Sequence, residues 1–187
     1  MPNKTLKTLF LYNGIFVLAG SLLGPLYTIF VVSLNKGIFS ISVSWATFLF
    51  STTIFTLVMS RLKDRLVNKR ILLSAGLVVR VLCWLSFIFI TNMWQLILIQ
   101  FFLGIGEALG TPAFDAIFAE HLDKNRHLTD YSDWKVLSNG GLVVGTLVGG
   151  LIVSYFGFKI LFLIMSQLAL VAFFGTIFNR QLDKTSS

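Results

Sequence analysis

Three charged side chains, Arg80, Glu107 and Asp115, stand inside long apolar runs of this 187-residue chain. A charge at the centre of a membrane-spanning helix costs about 2.5–3.5 kcal/mol on insertion scales, so such residues face a partner, a cavity or an ion path. Gln100, Gly104, Glu107, Thr111 and Asp115 recur at intervals of four, three, four and four residues. On a helix that spacing places them on one face. A polar stripe on an otherwise apolar helix must meet protein or water. A softer stripe runs through Asn13, Gly20, Gly24, Tyr27 and Thr28. The candidates for binding a solute or coupling its movement to an ion are therefore Glu107, Gln100, Thr111, Asp115 and Arg80, joined by Asn13 and Tyr27.

Composition says what must position these residues. The chain is 56% hydrophobic and 12% charged, and its mean hydropathy is +0.84. About a quarter of the residues in a soluble domain are charged, so a soluble fold could not cover its surface and the lipid bilayer is the solvent that fits. A spanning helix needs roughly 20 apolar residues, and the sequence predicts an all-α membrane protein with six of them in one domain. The spans fall at about 10–33, 41–60, 71–90, 95–119, 136–155 and 160–178. No alternation of period two runs through them, which argues against barrel strands. The first run is too long for a signal-peptide core and lacks a small-x-small cleavage site, so it is read as an uncleaved helix.

Lys and Arg set the orientation. Between the spans, one side carries only Lys36 and Lys159. The other carries Lys4, Lys7, Arg61, Lys63, Arg65, Lys69, Arg70, Lys124, Arg126, Lys135, Arg180 and Lys184. Both termini and the longer loops are thus expected in the cytoplasm, with the chain in the cell (plasma or inner) membrane. The net charge of +7 is spread over these short tracts, which is how topology is encoded and not how a nucleic-acid groove is built.

Spans 3 and 4 are antiparallel and joined by a tight turn. At about 1.5 Å per residue, Arg80 and Glu107 both come near the midplane, where they can pair. Two readings follow. The pair pins two helices, or Glu107 faces a water-filled cavity and binds a proton or another cation. In span 5, Gly141, Gly145 and Gly149, with Gly150 beside them, mark a close helix contact with no stated partner. Hydroxyls of span 2 (Ser51, Thr52, Thr53 and Thr56) are expected to bond back to their own helix. Trp94 and Trp134 are placed at the bilayer boundaries.

The sequence offers no catalytic centre. Cys83 is the single cysteine, His121 and His127 share one polar loop, and no phosphate-binding loop is present. No cofactor and no metal are expected, and an intramembrane enzyme is the weakest of the functional classes considered.

Four stretches resemble known motifs. Ser60 to Lys69 matches G-x-L-A-D-R-x-G-R-K at Leu62, Asp64, Arg65 and Lys69. Span 4 matches R-x-x-x-G-x-G-x-A at Gly104, Gly106 and Ala108, with Gln100 at the arginine position. Glu120 and Arg126 follow as an acid and then a base. Span 5 ends Gly145-Thr-Leu-Val-Gly-Gly150, close to G-P-x-x-G-G with Thr146 at the proline. In this order they resemble the amino-terminal half of a major facilitator superfamily transporter.

The resemblance implies a three-plus-three inverted repeat, echoed in the spacing of Pro25 and Pro112, Trp45 and Trp134, and Ile71 and Ile160. It implies that helices 1 and 4 line a path, that 2 and 5 face a second half, and that 3 and 6 sit outside. Asp64, Arg65 and Lys69 would form a gating loop. Gln100 at the arginine position removes support for proton antiport. The expected function is secondary transport of a small solute by alternating access, with a homodimer of six-helix halves in which the span 5 glycines pack on span 2 of the partner. A non-identical second half, and a non-transporting membrane partner or assembly subunit, are the alternatives.

Overall fold

Apolar runs of this length leave the backbone little choice in lipid. Every N–H must find its carbonyl within the segment, and a helix does that. The computed structural model describes residues 4–34, 37–61, 68–122 and 126–178, and every regular element among them is a helix. In chain order these are α1 (Lys4–Leu23), α2 (Leu26–Ser33), α3 (Ile38–Ser60), α4 (Lys69–Phe87), α5 (Met93–Glu120) and α6 (His127–Phe178). All but the short α2 are long and apolar enough to cross a membrane.

Two breaks interrupt these helical runs. The first expected span is split between α1 and α2 at Gly24, with φ of 21°, and Pro25. Proline cannot donate to the preceding turn, and glycine tolerates the positive φ that the bend requires. The second break is Gly157, whose φ of 77° divides the 52-residue α6 into arms 127–156 and 158–178. It lies where the sequence predicts the last turn. The first arm also begins well before Val136, because its opening turns are polar and leave no hydropathy signal.

The connections are fixed by side-chain caps. Asn68 accepts from the backbone N–H groups of Arg70 (3.0 Å) and Ile71 (3.3 Å) at the start of α4. Asn92 and Gln95 form a reciprocal capping box at the start of α5. Caps of this kind contribute about 1 kcal/mol each, and this one sets the tight turn that makes α4 and α5 antiparallel neighbours.

α5 packs on α3 and α4, α1 packs on both arms of α6, and α4 packs on α6. Two apolar clusters result. One gathers Phe30, Trp84, Phe87, Phe162 and Met165 with Ala169. The other lies toward the basic end of the bundle and gathers Leu6, Phe10, Leu73, Phe114, Ile117 and Phe118. At that end Lys69 pairs with Glu120. Arg70 there donates through Nε to the Thr176 carbonyl at 2.9 Å and through Nη2 to the Ile177 carbonyl. A cation on the last carbonyls of α6 is favoured by the helix dipole. Trp134 is half-buried and packs inward, 5.3 Å from Phe10 and 5.0 Å from Phe114 between ring centroids. Trp94 remains exposed.

The glycine face of span 5 has a different partner from the one expected. A Cβ at Gly145 would overlap the Ser21 hydroxyl and come 2.9 Å from Ser21 Cβ; one at Gly149 would overlap the Leu22 carbonyl. Gly141 sits against Val17 and Leu18, and Ser21 Oγ donates to the Gly141 carbonyl at 3.2 Å. Gly145 and Gly149 are therefore consumed within the chain, against α1, and cannot also pack on α3 of a second copy, while Gly141 beside them meets α1 only at van der Waals distance. Gly150 points into open space. In α3, Thr52 and Thr53 bond back to their own helix, but Ser51 donates across to the Phe101 carbonyl at 2.7 Å.

Candidate functional site: a charged cavity between two apolar clusters

The site begins with a contact between backbones. A Cβ at Gly76 of α4 would lie 2.7 Å from both the Gly106 carbonyl oxygen and the Gly110 nitrogen of α5. Only glycines allow helices so close. Across this seam Arg80 lies over α5. A Cβ at Gly106 would meet its Cγ at 3.1 Å, and one at Gly110 its Nη1 at 3.1 Å. Gly106, Gly110 and Gly76 thus form the bed that lets a buried arginine reach along α5.

Arg80 is only 5% exposed. Its guanidinium pairs with Glu107, stands 3.4 Å from the Thr111 hydroxyl, and lies 4.5 Å above the centre of the Phe16 ring. Thr111 also donates to Glu107, on the carboxylate oxygen that Arg80 does not hold. The two partners differ in setting: the Arg80 side chain is 6% exposed and that of Glu107 is 34% exposed. The network opens on a cavity of about 260 Å³. Asn13, Arg80, Glu107, Thr111 and Asp115 supply its polar lining, and Phe16, Phe114 and Trp134 its aromatic walls. Arg80, on the third expected span, therefore turns inward onto the fourth.

The structure divides the polar stripe of α5. Glu107, Thr111 and Asp115 line the cavity, with Asn13 opposite on α1. Gly104 faces α3, where a Cβ would come 2.6 Å from the Phe48 carbonyl oxygen. Gln100 is buried elsewhere, within hydrogen-bonding reach of Tyr27. The Tyr27 hydroxyl donates to Ser44 Oγ at 2.6 Å, and Ser44 donates on to the Ile41 carbonyl at 2.9 Å. Tyr27, Ser44 and Gln100 join α2, α3 and α5 in a separate polar knot that does not touch the cavity. Of the residues expected in a gating loop, Lys69 is held by Glu120, and Asp64 and Arg65 lie outside the described residues.

Two features of the site escaped the sequence reading: the bed of Gly76, Gly106 and Gly110, and the aromatic walls Phe16, Phe114 and Trp134 around the charges. A signal existed for the bed. Gly106-Glu-Ala-Leu-Gly110 is itself a small-x-x-x-small pattern, the same spacing that stood out in span 5. The aromatic walls carried none, being a few among nineteen phenylalanines and four tryptophans.

Comparison with known proteins shows the chain's family. The chain is 30% identical over 173 residues to the multidrug resistance protein MdtG of Escherichia coli O1:K1, and equally to that of strain K12, matching 86% of this chain and 40% of each relative. It spans well under half the length of these curated relatives. Its fold is similar to that of the POT family transporter PepTSo, with a TM-score of 0.81 over 97% of this chain and 38% of that one, at 13% identity. The family model described as Major Facilitator Superfamily matches residues 9–186. The chain, a multi-pass membrane protein with an all-helical fold, belongs to the Major Facilitator Superfamily.

Proposed function

We propose that the chain is one six-helix half of a secondary-active transporter, which moves a small solute by alternating access through the cavity at Glu107 and Asp115. The observation that carries this reading is the Arg80–Glu107–Thr111 network. It lies between two apolar clusters and opens on a cavity whose lining includes a second carboxylate. A pair serving only to pin helices needs neither the opening nor Asp115. Family membership and a fold similar to that of a POT family transporter support a transporter over an enzyme.

The topology we infer has six crossings, both termini in the cytoplasm and a three-plus-three inverted repeat. Its support is the pairing of helices. Reading α1 with α2 as the first span and the arms of α6 as the fifth and sixth, span 1 packs on 5 and 6, span 4 on 2 and 3, and 3 on 6. Apart from the contact of α2 with α3, exchanging the first three spans with the last three leaves that scheme unchanged. The basic end would face the cytoplasm, with the chain in the cell membrane.

A second half completes the path. The faces left for it are on α3, which exposes Trp45, Leu49 and Phe50, and on the first arm of α6, which exposes Val143, Leu147 and Leu151. We infer a second copy of this chain in that place, with an interface formed by these side chains and not by the span 5 glycines. The relatives' greater length favours the other reading, in which a non-identical half does the same.

The test is solute flux in vesicles under an imposed ion gradient, for the protein as isolated and for Glu107→Gln. Gradient-driven flux that Glu107→Gln abolishes or uncouples is expected. Equal, gradient-independent flux in both would remove Glu107 from coupling, and no flux for any solute class would favour a non-transporting membrane subunit.

A further inference from the structure

The cavity's charges do not balance, and the imbalance says what it takes. Arg80, Glu107 and Asp115 are the ionisable groups that line it, so its formal charge is −1. Arg80 is spent: it is held by Glu107, covered by Phe16, bedded on Gly106 and Gly110, and almost wholly buried. Glu107 is spent as well, with one carboxylate oxygen on Arg80 and the other accepting from Thr111. Asp115 is exposed to the cavity two helical turns from Glu107, and no described cation pairs with it. Phe114 and Trp134 line the same cavity, with ring centroids 5.0 Å apart and planes inclined at 45°. A cavity that holds an unneutralised carboxylate and is walled in part by aromatic side chains suits a positive charge carried on an apolar body. An anion would meet net negative charge with its only countercharge already paired. The volume, about 260 Å³, falls just below the roughly 300–1,000 Å³ of drug-sized sites, which favours a solute of about one ring.

We propose that the solute is a small organic cation, with Asp115 taking its charge and Phe114 and Trp134 enclosing its apolar part. This rests on the cavity being the solute site, as argued above. It separates two roles that the sequence reading had merged: Glu107 organises Arg80, and Asp115 selects the charge of the cargo.

The test is calorimetric titration of the full chain in nanodiscs of zwitterionic lipid, at one fixed pH. The probes are benzyltrimethylammonium and the similarly sized anion phenylmethanesulfonate. Saturable binding of the cation and none of the anion is expected. Asp115→Asn should weaken cation binding by about tenfold or more, the scale of one lost contact to a charged group. Asp115→Glu should retain binding, which guards against a folding defect, and Asp133→Asn, an exposed acid outside the cavity, should change nothing. Binding of the anion at least as tightly, unchanged affinity in Asp115→Asn, or no binding of either probe would overturn the proposal. Loss of cation selectivity alongside Glu107-dependent flux sinks this assignment alone. Selective cation binding without any flux sinks the transport reading alone.

Discussion

Glu107→Gln should cost more stability than Arg80→Met, although both cut the same ion pair. The asymmetry comes from burial, 6% exposure for the arginine side chain against 34% for the carboxylate. Breaking a fully buried pair costs about 3–5 kcal/mol because a charge is left unpaired in low dielectric, and an exposed pair is worth about 0–1 kcal/mol. In Glu107→Gln the stranded charge is the buried one. It keeps the Phe16 ring, the Thr111 hydroxyl and an amide oxygen, so the cost falls between those limits, at about 2 kcal/mol. In Arg80→Met the stranded charge is the one facing the cavity, still bonded to Thr111, and the cost is nearer 1 kcal/mol. The double variant removes both charges and should recover part of the loss, with a coupling of roughly 1–2 kcal/mol. Thermal unfolding in detergent reads this directly. For a chain of this size about 2 kcal/mol corresponds to a fall in Tm on the order of 4–8 °C. Strict additivity of the two single variants, or a larger loss for Arg80→Met, would refute the reasoning.

Three further outcomes are expected. Gly145→Ala forces a methyl group into Ser21 and Leu18 and should destabilise the fold by about 1–3 kcal/mol, while Gly150→Ala, in open space, should be neutral or stabilising by up to about 1 kcal/mol; Tm values for the pair decide this. Tyr27→Phe removes the bond to Ser44 and a neighbour of buried Gln100, and should lower stability by about 1–3 kcal/mol while leaving cation binding in the cavity unchanged, as titration of that variant would show. Lys69→Gln breaks a pair that is partly exposed and should shift stability by less than about 1 kcal/mol, which the same melting assay measures.

Much of the helical frame was legible because lipid is a demanding solvent. Long apolar runs can satisfy their backbone only as helices, and tight turns force neighbours to be antiparallel. That was enough to bring Arg80 and Glu107 to one depth, and the pair forms. Partner choice was not legible. The span 5 glycines announce a close contact, but whether α1 of the same chain or α3 of another fills it depends on how all the helices settle. The stripe from Gln100 to Asp115 shares one arc of α5, yet α5 meets different neighbours along its length, so Gln100 joins Tyr27 and Ser44 while Asp115 opens on the cavity. The start of α6 at His127 was missed because its first turns are polar. The cavity's walls were missed because nothing distinguishes Phe114 from eighteen other phenylalanines until its neighbours are known.

The central claim is that the cavity opens in turn to each side of the membrane, and thiol accessibility tests it most directly. Cys83 is the chain's only cysteine and is buried, so Cys83→Ala gives a silent background into which Thr111→Cys is introduced. A membrane-impermeant maleimide is then applied to right-side-out and to inside-out vesicles. The account predicts labelling of position 111 from both sides, slowed from both by benzyltrimethylammonium. Labelling from one side only, or from neither, would contradict it.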